Sequence, residues 1–234
     1  MLGRTVVAAA AIALIAAAPA QAAKIESLQK LGKLSHFAYV EKAVKAKAKP
    51  DASAKTVGKL TKKTGEKTDD LVLVLSRTTD ENDRVWLRVR LPIRPNGTTG
   101  WVPEDALSEL QPVDTWLKIS TKTFKATVIR NGKRVFSAPI GVGQAQWPTP
   151  KGEFYIRAKL TGYKDKFYGP LAFVTSATSD TLTDWPGGGI VGVHGTSLPG
   201  LIPGRISHGC VRMKNADILK LDKLVGVGTP ITVT

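Results

Sequence analysis

Asn131-Gly132 lies between the runs Phe124 to Ile129 and Arg134 to Ile140, and no other feature constrains the fold of this chain as tightly. Both residues accept a positive φ at little steric cost, as a two-residue type I′ turn demands, so the spacing predicts an antiparallel hairpin. Further short runs fit strands: Leu71 to Leu75, the alternating Val85 to Leu91, Gly100 to Pro103, Gly152 to Ala158, Leu171 to Thr175, Gly189 to His194 and Ile231 to Val233. Only Asn215 to Leu224 sets Ile218, Leu219, Leu221 and Leu224 on a helical period. The expected fold class is mainly β with one short helix.

Composition narrows what such a fold can carry. The chain has 34 Lys plus Arg against 19 Asp plus Glu, one Cys, three His and 42% apolar residues. A lone thiol excludes an internal disulfide framework, and one Cys with three His is too few ligands for a Cys-rich zinc module. Arg4, the apolar run Val6 to Ala18 and Ala20-Gln21-Ala22 read as an export signal over residues 1–22, cleaved before Ala23. That run is short for a membrane span, and nothing later approaches roughly 18 consecutive apolar residues, so no integral membrane segment is expected in the mature chain. The expected location is the periplasm, cell wall or exterior.

Residues 24–112 hold 17 basic and 12 acidic groups, and residues 113–234 hold 16 and 7. Summed positive potential on an exported protein favours a polyanionic surface such as a cell wall. The lysines from Lys42 to Lys67 have no interleaved aromatics, so neither a stacking platform nor a recognition helix is present and nucleic acid is not an expected partner. Residues 23–35, with Ile25, Leu28, Leu31 and Leu34 near helical spacing and Gly32 interrupting them, form either a short helix or a flexible lead. Residues 36–112 suggest a small barrel of short strands, Gln111-Pro112 is a natural boundary, and residues 113–234 form a second domain large enough for its own core.

The chemistry centres on Cys210 in Ser207-His208-Gly209-Cys210-Val211-Arg212. A thiolate is a strong nucleophile, but at an ordinary thiol pKa near 8.5 it needs an adjacent imidazole or dipole to form at neutral pH. His36 belongs to the other domain, leaving His194 and His208 to converge on the sulfur. On an extended segment His208, Cys210 and Arg212 share one face, while the β-branched run Ile190 to Thr196 carries His194 to a strand end. Gly209 before the thiol permits the close backbone approach or unusual φ of an oxyanion site.

Two resemblances follow from these residues. Tyr39 to Ala43, Val57 to Leu60, a Trp-containing strand and Gly100-Trp101-Val102-Pro103-Glu104-Asp105-Ala106-Leu107 resemble the bacterial SH3-like domain. His194-Gly195-Thr196 followed by Ser207-His208-Gly209-Cys210-Val211-Arg212-Met213 resembles the signature of the YkuD-type L,D-transpeptidases. Ala138 to Gly143 and Pro148 to Phe154 are similar to that family's lead-in, so the resemblance spans the second domain. It implies a β-rich catalytic fold acting on peptidoglycan stem peptides, with Cys210 as nucleophile and His194 as general base. It also implies that Gly195 orients the imidazole through its carbonyl, His208 and Gly209 shape the oxyanion pocket, Ser207 supports the loop and Arg212 holds a substrate carboxylate. No cofactor and no metal is expected.

Other readings make distinct demands. A papain-like or NlpC/P60 cysteine peptidase places Cys before His, the reverse of the order here. A zinc hydrolase would use His194, His208 and Cys210 as ligands with one open position. A noncatalytic wall-binding protein would keep the SH3-like domain and lose the chemistry of the second.

Overall fold

The computed structural model describes residues 24–162, 166–182 and 189–234. The expected signal segment, residues 1–22, lies outside them. The first sheet contains β1 (Glu26–Ser27), β2 (Ser35–Tyr39), β3 (Val44–Lys47), β4 (Thr56–Leu60), β5 (Leu71–Thr79), β6 (Val85–Arg90), β7 (Thr99–Pro103) and β8 (Gln111–Val113). They run in the order β4-β3-β7-β6-β5-β2-β8, with β1 added against β5. Ala38, Val72, Val74, Leu87, Val89 and Val102 fill the core of this sheet.

The second sheet contains β9 (Thr115–Ser120), β10 (Lys125–Arg130), β11 (Lys133–Pro139), β12 (Gly141–Gly143), β13 (Gly152–Thr161), β14 (Leu171–Thr178), β15 (Ile190–His194), β16 (Gly204–Ser207), β17 (Val211–Arg212) and β18 (Pro230–Val233). Its order is β11-β10-β9-β18-β13-β14-β15-β17-β12-β16. Leu117, Val128, Phe154, Phe173 and Val193 from the sheet and Ile218 and Leu221 from α1 (Asn215–Asp222) share one buried core. The hairpin turn takes the expected form, with φ 51° at Asn131 and 74° at Gly132 joining β10 to β11.

The lead segment is not a helix. Glu26–Ser27 pairs with β5, Glu26 meets Arg77 at 2.7 Å, and the chain doubles back through Gly32 at φ +70°. Ile25 and Leu34 remain exposed while Leu28 packs on the first core, so the apparent helical period marks no continuous buried face. The passage between sheets falls at Asp114, because Val113 still pairs with Ser35 of β2 and Thr115 opens β9.

Leu71 to Val74 are buried in sequence rather than alternately, and the reason is the second sheet. Val72 and Val74 face the first core, whereas Leu71 and Leu73 pack with Phe37 against Tyr155 of β13. A strand covered on both faces reads as a continuous apolar run. The Tyr155 hydroxyl donates to the Leu71 carbonyl at 3.1 Å, and Arg157 grips both carboxylate oxygens of Asp70 at 2.7 Å. Asp70 is 1% exposed, so the two sheets share a desolvated ion pair as well as an apolar contact.

Candidate active site

Two stretches remote in sequence meet because β15 and β17 are parallel neighbours, with Val193 opposite Val211 and His194 opposite Arg212. The Met213 amide extends the pairing by donating to the His194 carbonyl at 2.8 Å. The ends of these strands open on a cavity of about 410 Å³ whose lining includes His194, His208, Cys210, Arg212, Phe167 and Tyr168. Thus both expected histidines and the thiol border one space. His36 stays in the first sheet, its Nδ1 2.9 Å from the Leu28 carbonyl.

His194 is 2% exposed, and its Nδ1 lies 2.6 Å from the Gly195 carbonyl oxygen. A carbonyl only accepts, so Nδ1 carries the hydrogen and Nε2 keeps a lone pair in the neutral ring. Burial, with a smaller contribution from the nearby Arg212 cation, pushes the imidazole pKa down to about 4, against the opposing pull of the Gly195 bond. The glycine has a packing reason. A Cβ at Gly195 would stand 2.5 Å from Asn215 Oδ1 and 2.8 Å from Pro170 Cδ. Asn215 opens α1 and accepts the Thr196 amide at 2.9 Å, tying the helix start to the histidine turn.

Cys210 is half-buried, and its Sγ accepts the Gly192 amide at 3.4 Å. Gly192 lies two residues before His194 on β15, so sulfur and imidazole are held by the same short strand. Burial pushes the thiol pKa up, and the Gly192 donor and the Arg212 charge offset this only in part. Burial thus favours the neutral form of both the thiol and the imidazole, although the sequence points to a neighbouring imidazole as the means of forming a thiolate. Desolvation penalises either charged form more than its neighbours reward it.

The segment from Ser207 to Arg212 is not one extended strand. Gly209 turns it at φ +111°, a region that L side chains rarely adopt, and interrupts the alternation that seemed to align His208, Cys210 and Arg212. The turn still leaves all three on the cavity lining. Ser207, fully buried, donates through its hydroxyl to the Cys210 carbonyl at 2.5 Å and accepts the Gly209 amide at 3.2 Å. Thr149 completes the brace from outside, accepting the Gly143 amide at 2.9 Å and donating to the Gly209 carbonyl at 2.8 Å.

Arg212 is 5% exposed, and its guanidinium carbon lies 4.4 Å from the centroid of Phe167. Its Nε has no hydrogen-bond partner, which leaves a buried donor beside the cavity. Tyr168 meets the His194 ring edge-on at 5.0 Å, and Trp147 packs on His208 at 4.2 Å. Thr149, Phe167, Tyr168, Gly192 and Asn215 were not singled out as site residues in the sequence. Asn215 carries the one readable signal, a polar residue at the start of a helical period. His194, His208 and Cys210 do not form a group that could hold a metal ion, and among the described residues no set of three His, Cys, Asp or Glu does so.

Comparison with known proteins finds one family over the residues of the second sheet. The model of the L,D-transpeptidase catalytic domain family, YkuD, matches residues 114–233. YkuD of Bacillus subtilis strain 168 is 33% identical over 125 residues, covering 52% of this chain and 66% of its own length. YkuD of Bacillus licheniformis is 34% identical over 96 residues, covering 41% of this chain and 51% of its own. The chain thus spans about half to two thirds of these relatives. The solved catalytic domain of an Enterococcus faecium L,D-transpeptidase is 25% identical, with TM-score 0.39, over 52% of this chain and 97% of that one. A mainly β domain with this cavity and a matching family model places residues 114–233 in the class of L,D-transpeptidase catalytic domains. The chain belongs to the YkuD family of L,D-transpeptidase catalytic domains.

Proposed function

We propose that the chain is an exported enzyme that performs L,D-transpeptidation on peptidoglycan stem peptides, with Cys210 as nucleophile and His194 as general base. The observation that carries this reading is the tautomer set by the Gly195 carbonyl, which leaves His194 Nε2 as a proton acceptor in the cavity that Cys210 shares. Attack begins from the neutral pair. As Sγ bonds to the carbonyl carbon of the amide between meso-diaminopimelate and a terminal D-Ala, its proton passes to Nε2. The oxyanion pocket, shaped by His208 and the turn at Gly209, receives the developing charge. Collapse breaks the C–N bond, and the imidazolium protonates the departing D-Ala amine, leaving a thioester on Cys210.

In the second half, an amine of another stem loses a proton to His194, bonds to the thioester carbon and expels the sulfur, which recovers the proton. The product is a 3-3 cross-link, and water in place of the amine gives a shortened stem. Arg212, with its unpartnered Nε, is the group that holds a substrate carboxylate by paired hydrogen bonds. Ser207 keeps the loop in register. The first sheet is read as an SH3-like domain, residues 36–112, preceding a catalytic domain over residues 113–234, and the basic charge of both halves suits a polyanionic wall. Incubating the chain with isolated sacculi and analysing the muropeptides tests the reading. New 3-3 linked or shortened stems that disappear with Cys210→Ala support it, and an unchanged profile with intact protein refutes it.

A further inference from the structure

The β6–β7 loop of the first sheet reaches the second sheet at a place distinct from the Asp70–Arg157 contact. Asn96 sends its amide against the end of β14: Nδ2 donates to the Thr178 carbonyl at 2.7 Å, and Oδ1 accepts the Thr178 amide at 3.1 Å and its hydroxyl at 3.2 Å. Two residues before Asn96, Arg94 donates to the carbonyl of the next residue along β14's exit, Ser179, at 2.9 Å. An Asn side chain presents the donor and acceptor of a peptide group, so Asn96 stands in for a missing strand partner.

A partner is needed there because Thr178 meets Ile190 of β15 on one side, whereas on the other the β13–β14 pairing ends at Ile156 opposite Thr175. Beyond Thr178, the Ser179 amide donates to the Gly189 carbonyl at 2.8 Å. Leu182, Gly189 and Ile190, all from this end of the hairpin, line the same cavity as Arg212 and Cys210. Ile190 also opens the strand that carries Gly192 and His194. The sheets are already joined through Tyr155 and Arg157, so the loop contact does more than fasten one unit to the other.

We infer that Asn96, assisted by Arg94, is a positioning residue supplied by the N-terminal sheet, which sets the Leu182–Gly189–Ile190 wall of the cavity and thereby the fit of substrate. This rests on the transferase reading only for the identity of what the cavity holds. The device acts on binding and leaves the chemical step to Cys210 and His194.

The test uses the full chain and Asn96→Ala. Hydrogen exchange at the Thr178 and Ser179 amides is read together with KM and kcat for D-Ala release from a disaccharide tetrapeptide. Losing the paired bonds should speed exchange and raise KM, each by about tenfold, with kcat within about twofold. Asn96→Asp keeps the acceptor for the Thr178 amide and loses the donor to its carbonyl, so Thr178 should stay protected and KM should rise less. The melting temperature should move by only a few degrees, because Asp70–Arg157 remains. Exchange at the wild-type rate, or faster exchange with unchanged KM, overturns the inference. If the wild-type chain releases no D-Ala, the transferase reading fails on its own. The inference is then judged by Cys210 alkylation, where a bulky maleimide should gain or lose several-fold relative to iodoacetamide in Asn96→Ala, and an unchanged ratio overturns it.

Discussion

His194 Nδ1 and the Gly195 carbonyl oxygen, adjacent in the chain and 2.6 Å apart, fix the buried imidazole of the thiol's cavity as an Nδ1–H tautomer. In most His-based triads a carboxylate from elsewhere performs that task. Here a main-chain carbonyl does so, which orients the ring without adding a charge that would raise its pKa.

The pH–rate profile should show the consequence. The proposed base, His194, must be neutral to act, and burial holds its ring near pKa 4. Activity should persist through pH 5 and fall as pH drops toward about 4, well below the ordinary imidazole range. A half-loss between pH 6 and 7 in kcat/KM would contradict the buried-neutral assignment.

The same ring should make folding pH-dependent in a stated direction. Below its ordinary value of 6.5 the unfolded chain takes up a proton that the native ring refuses until about 4. Stability contributed by the neutral ring is therefore present above pH 6.5 and lost as pH falls across that window, by roughly 3 kcal/mol when complete. Urea unfolding from pH 7 to 4 should show a shallower decline in His194→Gln than in the parent. Identical declines would remove His194 as the cause.

Breaking the buried contact between the sheets should be costly. Asp70→Ala leaves Arg157 without its two 2.7 Å bonds in a site where the carboxylate was 1% exposed. The expected loss is about 3–5 kcal/mol, and the double change Asp70→Leu with Arg157→Met should recover much of it because no charge is then stranded. Denaturant midpoints measure both, and a loss below about 1 kcal/mol in Asp70→Ala would show the pair to be solvated.

Thr149→Val should act on the loop that carries Cys210 and not on the fold. It removes the acceptor for Gly143 and the donor to Gly209 while keeping the shape of the side chain. Losing these bonds costs about 1–3 kcal/mol, so kcat should fall by about tenfold or more with KM little changed. A wild-type kcat would show that the loop holds its turn without Thr149.

Much of this was legible in the chain. Asn131-Gly132 read directly as a hairpin because a two-residue turn is a local event set by two φ angles. The strands and the helix from Asn215 followed from periodicity, and the grouping of His194, His208, Cys210 and Arg212 on one cavity was expected. What failed was set by contacts far apart in sequence. Residues 23–35 read by spacing as a short helix or a flexible lead, yet β5 offers Glu26–Ser27 a free edge and takes them as a strand. The state of Cys210 depends on how deeply the neighbourhood is buried, which no run of residues encodes. Thr149 and Asn96 reach their partners across 60 and 82 positions, beyond any local pattern.

The central claim is that Cys210 becomes acylated by a stem peptide. Intact-mass spectrometry of the protein mixed with a disaccharide tetrapeptide measures this directly. The account predicts an adduct equal to the substrate less D-Ala, mapped to Cys210 and lost in Cys210→Ala, with His194→Ala forming it far more slowly. An adduct that survives Cys210→Ala, or D-Ala release by that variant at the parent rate, would contradict it.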